Sequence, residues 1–274
     1  MNIREMTNRK KGGDRPLIFG HRGVPLVHQE NTLAGFQEAI ALGLDGVELD
    51  VFLTKDNQLV VFHDADTKRL TGVSGKITEM TWAEIQQLDI QPVINVGQRM
   101  LYFEQSEKIP LLKDVLAIAK NKLRINLEIK PISSPWRQRE TVAAVLALLN
   151  ELEMNRQVFI SSFDIWAIFW LRQLTATPNY GLILAVDSPA WFQSPLTSTL
   201  LNMSLLSLNL DLGDSETLAK AQKKGLAIAL WTIFSRNALS HEAEEKQIRR
   251  FLAQKVDYLI TDDPVKLKTF LNRP

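Results

Sequence analysis

The sequence contains no cysteine. That absence excludes a disulfide framework, a thiolate metal site, a cysteine nucleophile and a lipoprotein anchor. Long hydrophobic runs are missing too. The longest, such as Val142 to Leu149, fall far short of the roughly 20 apolar residues that span a bilayer. The basic N-terminal stretch is followed only by Leu17-Ile18-Phe19 before Gly20, which is too little for the apolar core of a secretory signal. Charge of one sign is also lacking: 32 basic residues stand against 31 acidic ones, a net charge of +1. No bulk field therefore draws the chain to nucleic acid or to an anionic membrane. No repeat, low-complexity tract or Pro/Gly/Ser linker interrupts the 274 residues. The expectation is a cytoplasmic protein of one domain over residues 1–274, with no nucleic-acid partner and no stable membrane insertion.

What is present is a 45% hydrophobic, 23% charged composition, that of an ordinary globular chain. Short β-rich segments alternate with longer segments of helical spacing. The strand candidates are Leu17–Gly20, Gly46–Phe52, Arg124–Lys130, Val158–Ser162, Gly181–Val186, Leu205–Leu210, Leu226–Thr232 and Tyr258–Thr261. Leu33, Phe36 and Ile40 keep helical spacing before Gly43, and Asp263-Pro264 opens a last helix with an N-cap and a first-turn proline. Strands and helices alternating eightfold over about 250 residues predict a (β/α)8 barrel. The competing doubly wound sheet would carry a Gly-rich phosphate loop after an early strand, and none is present. The gap between the second and third strands is much the longest. It holds a hairpin turning at Lys55-Asp56-Asn57-Gln58, then a segment of about residues 64–109 with a capping box at Thr81-Trp82-Ala83-Glu84. This segment reads as a small insertion above the barrel without a second core.

Strand faces alternate with period two. In the second strand Val47, Leu49 and Val51 form one face and Glu48 and Asp50 the other; in the third, Ile125, Leu127 and Ile129 oppose Asn126, Glu128 and Lys130. The apolar faces suit the helix ring, so the polar sets point into the barrel near the strand C-termini, where barrel enzymes place their sites. A structural ion pair accounts for one inward acid better than for three. Like charges about 4 Å apart repel by roughly 4 kcal/mol at an effective dielectric of 20, so such a cluster needs a cation or protonation. All-oxygen ligands favour Mg²⁺ or Ca²⁺.

If the hairpin turns between Asp56 and Asn57, His63 lies directly opposite Asp50, about 4.5–5.5 Å away at the Cβ atoms. Otherwise His63 is a loop residue. His21-Arg22-Gly23 ends the first strand, either as a solvated turn or as a place for phosphate binding and proton transfer. Glu30, beside Asn31-Thr32, is a site residue or only a charge at a helix start. His28 and His241 read as solvated. Phe163, Trp166, Phe169, Trp170, Trp191 and Phe192 read as helix faces packed on the barrel, or else as an apolar surface for a lipid.

These residues resemble the glycerophosphodiester phosphodiesterases. The resemblance runs from about Leu17 to Pro264, through His21-Arg22-Gly23, Glu30-Asn31-Thr32, Glu48-Leu49-Asp50-Val51, Thr54-Lys55-Asp56, Val60-Val61-Phe62-His63-Asp64, Arg69-Leu70-Thr71-Gly72, Ile109-Pro110-Leu111, Asn126-Leu127-Glu128-Ile129-Lys130, Ser162-Phe163-Asp164 and Trp231-Thr232. Each motif is weak alone; the ordered set is specific. It implies metal-dependent hydrolysis of a glycerophosphodiester to glycerol 3-phosphate and an alcohol, with one divalent cation, Mg²⁺ or Ca²⁺. His21 and His63 would be the acid–base pair, and Glu48, Asp50 and Glu128 the metal ligands, supported by Glu30. Arg22 and Lys130 would bind phosphate, with Trp231 at the substrate. The alternatives are a phosphodiesterase for lysophospholipids and a non-catalytic phosphate-binding barrel. The chain departs from the family at Gln29, where proline is usual, at Phe234, where asparagine is usual, and at Leu208-Asn209-Leu210-Asp211, where Asn-Pro or His-Pro is usual. These changes are expected around the substrate's alcohol.

Overall fold

A computed structural model describes residues 15–97, 99–177, 179–193, 195–212, 215–236 and 242–272. Eight parallel strands close into a barrel: β1 (Leu17–His21), β2 (Gly46–Leu53), β3 (Arg124–Ile129), β4 (Val158–Ser162), β5 (Tyr180–Leu184), β6 (Leu205–Asn209), β7 (Ala227–Ile233) and β8 (Tyr258–Thr261). β1 pairs with both β2 and β8, which shuts the ring. The sequence spacing located all eight strands, with ends displaced by no more than two residues.

Two apolar layers hold the barrel. Outside, Val47, Leu49, Val51, Ile125, Leu127 and Ile129 pack in the cluster that carries the helices, as the alternation predicts. Inside, at the N-terminal half of the strands, Phe19, Phe159 and Tyr258 fill the lumen with ring centroids 5.1–5.7 Å apart. Gly46 makes room for this plug, since a Cβ there would lie 2.4 Å from the Phe19 ring. Polar inward residues are thereby confined to the other end.

Helix Leu33–Ala41 starts at Thr32, whose hydroxyl accepts from the Gly35 amide at 3.2 Å. Helix Pro264–Leu271 starts at Asp263, as expected. Thr81 and Glu84 form the expected reciprocal cap. His241 lies outside the described residues.

Two expectations about the second-strand excursion need correction. Its hairpin pairs Val51 with Val61, Phe52 with Val60 and Leu53 with Leu59, so Asp50 stands opposite Phe62, not His63. The cause is an odd loop: Lys55-Asp56-Asn57 is a three-residue turn with Asn57 left-handed at φ 62°, the usual form of a three-residue hairpin. The insertion also has a core of its own. Phe52, Val60, Phe62, Leu70, Ile77, Ile85, Ile90, Ile94, Ile109 and Leu111 belong to a buried cluster separate from that under the helices. Within the insertion, Leu70, Ile77, Ile85, Ile90 and Ile94 come from elements of two to four residues, whose sequences are too brief to show a period.

Candidate active site

The strand register decides which polar groups meet. His21 is level with Glu48 across β1 and β2, and Asp50 is level with Glu128 across β2 and β3. Oxygens of Glu48, Asp50 and Glu128 all lie within 4.8 Å of one another, a spacing at which like charges repel by about 3–4 kcal/mol at an effective dielectric of 20. Burial, then the neighbouring Asp50 and Glu128, push the Glu48 carboxyl well above its ordinary range, and burial pushes Glu128 up too. Asp50 goes the other way. Burial opposes its ionisation, but Lys130, His63 and Arg22 together with a bond from Asn31 hold it below the usual carboxylate range. The Lys130 ammonium lies 3.1 Å from Asp50 and 2.7 Å from Glu128, and Asn31 Nδ2 donates to Asp50 Oδ2 at 2.8 Å. Three buried acids with raised or crowded carboxyls, offering only oxygen, fit a hard divalent cation.

Each predicted histidine has an acid behind it. His21 Nδ1 is 2.7 Å from Asp262 Oδ1, and His63 Nδ1 is 2.6 Å from Asp64 Oδ1. A carboxylate acceptor places the proton on Nδ1 and leaves Nε2 free. His21 Nε2 lies 3.8 Å from Glu48. Burial lowers the pKa of both imidazoles below their ordinary value. Asp64 is held at about 2, because bonds from His63 and Arg69 outweigh its burial. His63 thus reaches the site, though by the bend that follows Phe62 and not by the ladder.

Arg22 sits at φ 56° and Gly23 at φ 93°. This left-handed pair turns the chain sharply off β1. The Arg22 amide donates to Glu48 Oε2 at 3.1 Å, while its side chain reaches Glu30 at 2.8 Å and Asp50 at 3.4 Å. A Cβ on Gly23 would meet the Gly35 backbone at 3.0 Å, so glycine is required twice over.

Glu30 is not brought into the acid cluster. It is fully buried, and its oxygens accept from Arg22, Arg69 and Arg236 at 2.5–3.1 Å. Burial works against its charge, yet Arg236, Arg22 and Arg69 hold its pKa well below the ordinary value. A carboxylate so engaged has no lone pair to give a metal, and the expectation of Glu30 as a ligand is corrected to an anchor for arginines.

One cavity of about 350 Å³ is lined by part of this set. His21, Arg22, Glu48, His63, Asp64 and Glu128 line one side, whereas Phe163, Ile183, Ser207, Trp231 and Ile260 line the other. Phe163 meets Trp231 edge-on at 5.5 Å. Asn95, Val96 and Gly97 of the insertion complete the wall.

Several participants escaped the sequence reading. Asp262 continues the inward period of Tyr258 and Ile260 beyond β8, so alternation could have found it. Asn31 entered only through the Glu30-Asn31-Thr32 motif. Arg236 lies in the irregular segment after β7 and left no signal. The family departures also fall elsewhere than expected. Gln29 is buried and donates to the carbonyls of Gln91 and Gln105 at 3.4 and 2.6 Å, tying the first loop to the insertion. Phe234 is buried against Phe270. Neither these two nor residues 208–211 line the cavity.

The family model for the glycerophosphoryl diester phosphodiesterases matches residues 21–266. The chain belongs to that family. It is 28% identical over 256 residues to a glycerophosphodiester phosphodiesterase of Caldanaerobacter subterraneus, covering 92% of this chain and 96% of the relative. It is also 28% identical over 282 residues to a mouse lysophospholipase D, covering 93% and 85%. Among solved structures, an Oleispira antarctica phosphodiesterase in complex with sn-glycerol-3-phosphate has the same fold, with TM-score 0.76 and 23% identity over 94% of this chain and 97% of that one. Phosphodiesterase architecture therefore extends over nearly the whole of this phosphodiesterase-family chain.

Proposed function

We infer that this protein hydrolyses glycerophosphodiesters to glycerol 3-phosphate and an alcohol. The observation that carries the reading is the convergence on one cavity of Glu48 and Glu128, with Asp50 within 4.8 Å of both, and of two histidines that each lean on an aspartate. A phosphate-binding module without catalysis has no use for two such histidines.

Glu48, Asp50 and Glu128 would hold the divalent cation, Mg²⁺ or Ca²⁺. Bound there, such an ion supplies Lewis-acid polarisation of a phosphoryl oxygen and offsets the charge that develops on it. Arg22 and Lys130 orient the phosphate, Arg22 from its anchor on Glu30 and Lys130 from beside Asp50. One histidine takes a proton from the attacking oxygen, that of water or of the glycerol 2-hydroxyl. The other gives a proton to the departing alkoxide. We assign the base role to His21 and the acid role to His63. With Nδ1 committed to an aspartate, each works through Nε2. Phe163 and Trp231 supply an uncharged wall for the alcohol. The substrate we assign is water-soluble and the compartment the cytoplasm.

A second reading, action on lysophospholipids, draws on a different observation. Trp136, Trp166 and Trp191 are 71%, 48% and 57% exposed, and all follow the C-terminal ends of β3, β4 and β5. The aromatic residues expected on packed helix faces thus divide, since Phe192 is buried while Trp166 and Trp191 are not.

The discriminating experiment is hydrolysis of glycerophosphocholine against lysophosphatidylcholine, with Mg²⁺, Ca²⁺ and chelator compared. Faster turnover of the soluble diester, abolished by chelation, is expected. Much faster turnover of lysophosphatidylcholine would transfer the assignment to lipid head groups.

A further inference from the structure

Asp262 stands behind His21, and Glu30 stands behind Arg22. They belong to loops at opposite ends of the chain, yet share one neighbour, Arg236. Its side chain is 4% exposed. One terminal nitrogen donates to Glu30 Oε2 at 2.5 Å, and its backbone N–H donates to Asp262 Oδ2 at 2.8 Å. Its Nε lies 3.9 Å from the same aspartate oxygen. From the insertion, Arg99 donates to the Arg236 carbonyl at 3.4 Å.

Charge balance alone does not account for this residue. Glu30 already has Arg22 and Arg69 on it. The remaining terminal nitrogen of Arg236 is buried with no hydrogen-bond partner in the protein, an arrangement that works against burying this guanidinium. Geometry gives the compensating benefit. Asp262 Oδ1 faces His21 Nδ1, and Oδ2 accepts from the backbone N–H of Arg236 with the Arg236 Nε charge 3.9 Å away, so both oxygens are engaged. That fixes the imidazole plane and points Nε2 toward Glu48. At the other end, Glu30 Oε1 accepts from Arg22 and Oε2 from Arg236. The guanidinium of Arg22 is thereby held above Asp50.

We propose that Arg236 is a positioning residue that sets the orientations of His21 and Arg22 together, through Asp262 and Glu30. The proposal rests on the phosphodiesterase reading for its kinetic consequence. Its geometric consequence is independent of it.

The test compares wild type, Arg236→Gln and Arg236→Lys. Two quantities are read on folded protein: kcat and KM with glycerophosphocholine, and the low-field proton NMR resonance of the His21 Nδ1–H, identified by its loss in His21→Gln. Arg236→Gln should lower kcat/KM about 10–100-fold, the range for partners that orient active-site groups. Most of the loss should fall in kcat, and the His21 resonance should shift, because the backbone N–H to Asp262 remains while the side-chain charge 3.9 Å from that carboxylate is gone. Arg236→Lys, which keeps a cation on Glu30, should recover most of both. Should Arg236→Gln fail to fold, Arg236→Met, with its similar stem, is read in the same way. Unchanged kcat, KM and resonance in the neutral variant would overturn the proposal. Equal losses in the Lys and neutral variants with an unmoved resonance would overturn it too, reducing Arg236 to a structural residue. Wild type inactive on every glycerophosphodiester, with the resonance still displaced in Arg236→Gln, would sink the phosphodiesterase reading and leave the positioning role standing.

Discussion

The acid floor around Glu48 and the arginine cluster around Glu30 place the same residue type at the same depth in opposite fields. Glu48 is crowded by Asp50 and Glu128, and burial together with those acids drives its carboxyl well above the ordinary range. Glu30 is gripped by Arg236, Arg22 and Arg69, which hold it well below that range although burial opposes them. The first region is left with negative charge that its own lysine does not balance. The second surrounds one acid with three arginines, of which Arg22 also reaches Asp50. A buried carboxylate can therefore be a ligand in waiting or a mechanical anchor, and its neighbours decide which.

The sharpest way to break this contrast is to neutralise one acid in each region. Asp50→Asn removes the centre of the floor and should lower kcat/KM by about 10⁴-fold, or roughly 5 kcal/mol of barrier, in a steady-state assay at saturating Mg²⁺ or Ca²⁺. Residual activity within tenfold of wild type would remove Asp50 from the site.

The histidines come next. A positioned acid or base contributes about 10²–10⁴-fold. His63→Ala should lose about that much with an alkoxide leaving group and much less with p-nitrophenolate, which leaves unprotonated. His21→Ala should be slow with both. A reversed pattern would exchange the two roles.

Stability should separate the regions as cleanly as activity. Glu30→Ala leaves three arginines facing a hole and should cost about 3–5 kcal/mol in denaturant unfolding, as when one partner of a buried ion pair is removed. Glu48→Gln should leave the chelated protein as stable as wild type or more so. The pH dependence carries the same contrast with opposite signs. A raised carboxyl binds its proton more tightly in the folded state, so Glu48 and Glu128 favour the fold at low pH, and that contribution is lost as pH rises through their folded values, above 4.5. A depressed carboxyl such as Glu30 contributes above its unfolded value of 4.5 and is lost as pH falls. Tm against pH in chelator, wild type minus Glu48→Gln, should therefore decline as pH rises. A flat difference would mean that the floor acids do not repel.

The smallest effect concerns the link between first loop and insertion. Gln29→Ala removes two hydrogen bonds to carbonyls and should lower stability by about 1–3 kcal/mol, with kcat nearly unchanged, in paired thermal melts and assays.

Legibility in the sequence follows the same divide. Glu48, Asp50 and Glu128 were readable because strand alternation is local: two residues apart means one face, and parallel register then aligns the neighbours. The same rule, extended past β8, reaches Asp262. Glu30 was not readable, because its partners lie 39 residues away at Arg69 and 206 away at Arg236. No local pattern encodes a contact closed by the whole barrel. His63 arrived at the site although its register was read one residue wrong, because the turn carries an odd number of residues and the chain bends after Phe62. The insertion's core was hidden for a related reason: its apolar residues are spread over elements of two to four residues.

On this reading the acid floor holds a divalent cation and the arginine cluster does not. Calorimetric titration of Mg²⁺ or Ca²⁺ into chelator-treated protein tests it most directly, with wild type, Glu48→Gln and Glu30→Gln compared at pH 7.5 and 5.5. The account predicts one site in wild type, weaker at the lower pH as protons compete for Glu48 and Glu128. It predicts binding largely lost in Glu48→Gln and retained in folded Glu30→Gln. Stoichiometric binding that survives Glu48→Gln and vanishes in Glu30→Gln would contradict it.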